Sequence, residues 1–110
     1  MTPKQWLGII AEYGPVIEGS GPIQLHHVVG RTYKHNKVLI GPWFVLPLPW
    51  QYHDVHSNDP LNVTHYRHRF TDFFGQQSEL FNKMCVDMEN SGIVLPFDNA
   101  VMAAIMDTRR

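Results

Sequence analysis

Cysteine is nearly missing from this chain: Cys85 stands alone in 110 residues, which excludes an internal disulfide and any zinc site of the CxxC kind within one chain. A metal ion, if one is held, must be taken by His, Asp, Glu or Asn. Charge of one sign is not in excess either. The formal net charge is -1, so bulk electrostatics single out no partner. No apolar run approaches the roughly 20 residues that span a bilayer. The opening MTPKQWLGII lacks the apolar centre and small-residue cleavage site of a secretory signal. A cytoplasmic protein without membrane association is the default expectation. Repeats and low-complexity segments are also lacking, as is any stretch that reads as an interdomain linker.

What is present is ordinary for a folded domain: 44% apolar and 17% charged residues. The length suits one hydrophobic core without covalent staples, hence a single domain over residues 1–110. Histidine is the exception to this ordinariness. There are seven, five of them between His35 and His68.

Thr2 and Pro3 suit the cap and first position of a helix, Trp6, Ile9, Ile10 and Tyr13 recur at helical spacing, and Gly14-Pro15 stops it. A Gly/Ser/Pro loop follows. Ile23, Leu25, Val28 and Val29 favour a strand carrying His26 and His27. GRTYKHNK, residues 30–37, reads as a turn or long hairpin loop made basic by Arg31, Lys34 and Lys37. A second strand is expected from Val38 to Leu46, interrupted at Gly41-Pro42. A helix is expected from about Pro49 to Ser57, and another from an Asn62 cap to Gly75, whose effect as break or bend stays open. A further helix carries Leu80, Phe81, Met84, Cys85 and Met88 to a Ser91-Gly92 stop, and Asp98 caps a last one from Asn99 to about Met106. Cys85, inside an apolar stripe, reads as a buried structural thiol.

The chemistry lies in the histidines. Imidazole is the commonest metal-ligating side chain and exchanges protons near neutrality. Neighbours on a strand point to opposite faces, so His26 and His27 cannot both aim at one ion from regular β geometry. One can ligate a cation while the other, displaced by a local bulge, holds a water for deprotonation. On a helix, His53 and His56 are three positions apart and share a face, within reach of one metal or phosphate.

LHHVVGR followed by FVLPLPWQYHDVH resembles the HNH nucleases, also called ββα-metal or His-Me finger endonucleases, and looks most like their phage-type branch, including the recombination-enhancement (Ref-type) enzymes. The likeness covers His26 to His56. It implies an α+β fold with a ββα-metal hairpin-helix core and additional N- and C-terminal helices. It also implies hydrolysis of DNA phosphodiester bonds, as endonuclease or nickase, with His27 as general base. His26 and His53 would hold one divalent cation, magnesium first and manganese, nickel or zinc after it, with His56 a further ligand or a contact to the phosphate. DNA is the implied partner, together with a recruiting recombination or replication protein; oligomeric state is left open. Pro49 stands where many members carry a zinc-binding cysteine, and Trp43 and Phe44 fill the neighbourhood of the family's middle asparagine.

Blander readings stand beside these. The same scaffold can be a catalytically inactive module that binds DNA or protein, or a histidine-only zinc domain. His35, His65 and His68 read as solvated or core-satisfied. Arg67 and Arg69 form a basic helix face, solvated in most proteins and a DNA-backbone contact in the nuclease reading. Asp54 is either an acceptor that orients an imidazole or a surface carboxylate. Trp50 and Tyr52 stack on a base or, more simply, pack under the helix.

Overall fold

In a computed structural model that describes residues 1–110, five helices and two small antiparallel sheets make an α+β chain. Helix α1 (Pro3–Tyr13) begins on a reciprocal cap: the Thr2 hydroxyl accepts from the Gln5 amide while the Gln5 side chain accepts from the Thr2 amide. Its Trp6 is fully buried, donates from Nε1 to the Trp43 carbonyl at 2.9 Å, and meets Phe81 and Phe97 edge-on. Edge-to-face pairs of this kind add about 0.5–1.5 kcal/mol beyond the area they bury. Trp6 therefore pins α1 to the sheet.

The principal sheet pairs β1 (Ile23–His27) with β4 (Val45–Pro49), residue for residue from Ile23 opposite Pro49 to His27 opposite Val45. Two prolines in a paired strand conflict with its ladder unless their nitrogens face outward. They do. The Pro47 carbonyl accepts from the Val16 amide, so residue 47 turns its polar backbone away from β1. The intervening Leu46 and Leu48 are left to face β1, as are Phe44, which accepts from Val28, and Trp50, which donates to Pro22. The register has no bulge, contrary to the displacement expected at the histidine pair.

The second strand differs from its sequence expectation because the stretch divides. Val38–Leu39 is a separate strand, β3, which pairs with β2 (Lys34–His35) across a two-residue turn, while the partner of β1 starts only at Val45. Asn36 and Lys37 both have positive φ, 50° and 68°, the pattern of the tight turn that matches strand twist. Gly41 closes this excursion. A β-carbon there would run into the carbonyl oxygens of Gly30 and Arg31, so only glycine lets the two ends of the loop meet.

Two expected helices are shorter than their patterns suggest. Helix α2 is a single turn, Trp50–His53, and not the run to Ser57. Buried Asn62 explains why: its side-chain Nδ2 donates to the carbonyls of Gln51 and Asp54, and its side-chain Oδ1 receives the amides of Thr64 and His65. Asn62 thus ties off the end of α2 and shapes a turn where it was expected to cap a helix. Helix α3 starts at Arg67 and ends at Phe74, because Gly75 at φ 94° breaks the chain before α4 (Gln77–Asn90). Helix α5 (Asn99–Asp107) starts on the expected cap, the Asp98 carboxylate accepting from Val101.

Sixteen buried apolar residues form one cluster, with Trp6, Phe44, Leu46, Phe70, Phe81 and Ile105 among its fully enclosed members. Cys85 belongs to it, and burial pushes its thiol up to about 12, so it is inert as a nucleophile at neutral pH. No helix is long and apolar enough to cross a membrane.

Candidate functional site

Because β1 keeps strict alternation, His26 and His27 leave the sheet on opposite faces. His26 lies opposite Leu46, on the face covered by α2 and α4. There it meets His53, the last residue of α2, with ring centroids 4.8 Å apart and planes inclined at 56°. The remote parts of the chain that the sequence singles out are thereby brought together.

Each ring is held by a glutamine. His26 Nε2 donates to the Gln77 side-chain carbonyl at 2.8 Å, and His53 Nδ1 donates to the Gln24 side-chain carbonyl at 2.5 Å. An amide oxygen can only accept, so both donating nitrogens carry hydrogen and the lone pairs fall to Nδ1 of His26 and Nε2 of His53. The chain continues outward: Gln24 Nε2 donates to Asp54 at 2.7 Å, and Asp54 also accepts from the His56 amide. Those two hydrogen bonds hold the Asp54 carboxyl below its ordinary range. Asp54 bonds no imidazole directly: it accepts from Gln24, whose side-chain oxygen accepts from His53.

Burial keeps both rings neutral at physiological pH. Desolvation, then the neighbouring charge of His53, lowers His26 to about 4, and desolvation likewise lowers His53. A neutral imidazole pair is the ionisation state that a metal requires. With metal–nitrogen distances of about 2.1 Å, ring centroids of two ligands on one ion stand roughly 4.5–5.3 Å apart at ordinary coordination angles. The 4.8 Å spacing fits such a pair.

The other expected ligand is elsewhere. His56 is exposed in a turn beyond the end of α2, so it does not share a helix face with His53, and no group of three or more His, Cys, Asp or Glu side chains is placed to hold an ion.

His27, opposite Val45, opens into a cavity of about 480 Å³ whose other walls are Pro3, Lys4 and Leu7 of α1, Arg31 and Pro42. Burial and the Arg31 guanidinium lower its pKa, so it too is neutral and able to accept a proton at pH 7. Among the basic residues read from the sequence, Arg31 joins this cavity, whereas Lys34 and Lys37 are exposed on the β2–β3 hairpin. Arg67 lines a separate polar pocket with Arg109 and Arg110, and Arg69 lies over the Tyr66 ring at 4.4 Å. Of the remaining histidines, His35 pairs with Asp107 at 2.8 Å and His65 donates to the Val55 carbonyl.

Gln24, Gln77, Lys4 and the terminal arginines were not among the residues singled out by sequence. Gln24 had a signal: it stands two positions before His26 on the same strand, hence on the same face. Gln77 had none, since a glutamine 51 positions away carries no mark of its partner. Comparison with models of protein families, with characterised proteins and with solved structures finds no match to this chain.

Proposed function

We propose that this protein is a metal-dependent DNA endonuclease or nickase built on a ββα-metal unit of β1, β4 and α2. The observation that carries the reading is the His26–His53 pair, two neutral imidazoles from the first strand and the following helix at the spacing of shared ligands. These two residues would hold the ion through Nδ1 and Nε2. Bound there, a divalent cation supplies Lewis-acid stabilisation of charge on phosphate oxygens. An all-imidazole donor set suits nickel or zinc better than magnesium or manganese, which prefer oxygen.

The remaining work belongs to the chain's own groups. His27, neutral and open to a cavity, takes a proton from the attacking water. Arg31 and Lys4 line the same cavity and supply positive charge for the DNA backbone, and burial, then the Arg31 charge, keeps the imidazole unprotonated. Asp54 and Gln24 fix the tautomer of His53.

A second reading, a module that binds DNA without cutting it, is favoured by the lack of a third ligand and by His27 facing away from the His26–His53 pair. One experiment separates the two. Purified protein is incubated with supercoiled plasmid in EDTA and in manganese, nickel, zinc or magnesium, alongside His27→Ala. Metal-dependent nicking that His27→Ala removes, with an unchanged melting curve, supports the nuclease. DNA binding without cleavage in any of the metals refutes it.

A further inference from the structure

The strongest unassigned feature is the polar pocket between α3 and the end of α5. It encloses about 310 Å³ and is lined by Arg67, His68, Thr71, Thr108, Arg109 and Arg110, with no apolar and no acidic residue among them. None of the three arginines is in an ion pair; the chain's single one joins His35 to Asp107. Asp107 also accepts from Asn36, so the carboxylate nearest in sequence is engaged with the β2–β3 hairpin. Arg67, Arg109 and Arg110 bring three positive charges to the lining of this pocket; the Arg110 guanidinium also lies 5.8 Å from the centre of the Tyr33 ring, and the Arg109 charge acts on Asp107. Arg109 is in addition held at φ 55°, a conformation that costs a non-glycine residue energy.

The pocket is tied to the histidine pair through one residue. The Gln77 amide donates to the Arg110 carbonyl at 2.6 Å, while the side chain of the same glutamine accepts from His26. Given ordinary bond lengths along a glutamine, the Arg110 carbonyl lies no more than roughly 11 Å from the His26 ring.

We infer that this pocket is a phosphodiester subsite that grips the DNA backbone near the scissile bond, with Arg67, Arg109 and Arg110 as its cations and the Thr71 hydroxyl as a neutral donor. The choice of DNA as owner of the phosphate rests on the proposed nuclease reading; the anion chemistry does not. Contacts of this kind position a strand without reading its sequence.

The test is equilibrium binding of a fluorescent 20-base-pair duplex in EDTA across a salt series, where cleavage and metal play no part. The triple variant Arg67→Gln, Arg109→Gln, Arg110→Gln is expected to reduce the slope of log K against log[salt] by about 0.9 and to weaken binding roughly eightfold at 0.1 M salt. Arg109→Gln alone, at an exposed side chain, is the fallback if the triple variant melts early, and the fully lysine-substituted version should restore the slope. Unchanged slope and affinity in the variants would overturn the subsite, as would absence of duplex binding by the wild type. Inorganic phosphate that binds the wild type while the duplex slope ignores the three arginines would assign the pocket to free phosphate and also overturn it. Plasmid cleavage by a protein whose pocket variants bind normally defeats the subsite alone, whereas a pocket-dependent slope without cleavage in any metal defeats the nuclease reading alone.

Discussion

His26 and His27 are the same amino acid at adjacent positions, yet the two faces of β1 give them different surroundings. On one side His26 is partly buried, hydrogen-bonded to Gln77 and close to a second imidazole, so proton binding is driven down to about 4. On the other, His27, partly buried as well, opens into a cavity with Lys4 and Arg31. Strand alternation alone gives the two rings different neighbours. The difference teaches that in a two-residue motif the backbone assigns the surroundings, and that the covering elements, α4 on one face and α1 on the other, tune each.

Breaking the two faces separately should give different losses. His27→Ala removes the proposed base, and cleavage should fall about 10² to 10⁴-fold at unchanged metal affinity. His26→Ala should abolish metal uptake, read by isothermal titration with nickel or zinc. If both variants lose metal to the same degree, the division between faces is wrong.

Acid should expose the contrast in stability. The folded pKa of His26 is depressed to about 4 from an ordinary 6.5, so the unfolded chain binds the extra proton between those values. The stabilisation is complete above pH 6.5 and is lost as pH falls toward 4, in total about 3 kcal/mol at 1.36 kcal/mol per unit. Urea midpoints in EDTA at pH 7 and pH 4.5 check this. His26→Gln should flatten the dependence, and a wild type equally stable at both values would contradict the buried neutral ring.

The relay behind His53 gives a smaller effect. Gln24→Leu severs the link to Asp54 and leaves the His53 ring without its acceptor, which should weaken metal binding about 10 to 100-fold while the ligands remain. Gln24→Glu keeps an acceptor and should recover most of it. Equal losses in the two variants would mean that Gln24 acts by packing and not by orienting the ring.

Local chemistry in the sequence was legible where it acted locally. Thr2-Pro3, Asp98 and Gly92 mark helix ends because a cap is satisfied within a few residues. The period of two along β1 likewise separates His26 from His27, since alternation needs no partner beyond the strand itself. Boundaries failed where a distant group intervened. Asn62 terminates α2 by taking the Gln51 and Asp54 carbonyls, and α3 is delayed because the same side chain holds Thr64 and His65 in a turn. Strand β4 runs through Pro47 and Pro49, which argue against a strand until the pairing shows that both nitrogens face away from β1. The histidine pair could be nominated from its residues, whereas its support by Gln77 depends on α4 returning to the sheet, a non-local contact that no spacing encodes.

The finest test concerns Arg31, which distinguishes the open face electrostatically as well as sterically. Its positive charge disfavours a second one on His27 and so lowers the pKa of that ring. In Arg31→Gln the imidazole should protonate more readily, and the acid limb of the pH–rate profile should move to higher pH. At saturating duplex, cleavage near pH 6 should then fall relative to wild type while cleavage at pH 8 converges on it. The sign follows from base catalysis, which requires the unprotonated ring. A variant whose rate drops by the same factor at every pH would show that Arg31 only binds substrate. A limb displaced toward lower pH would show that His27 is not the base that titrates.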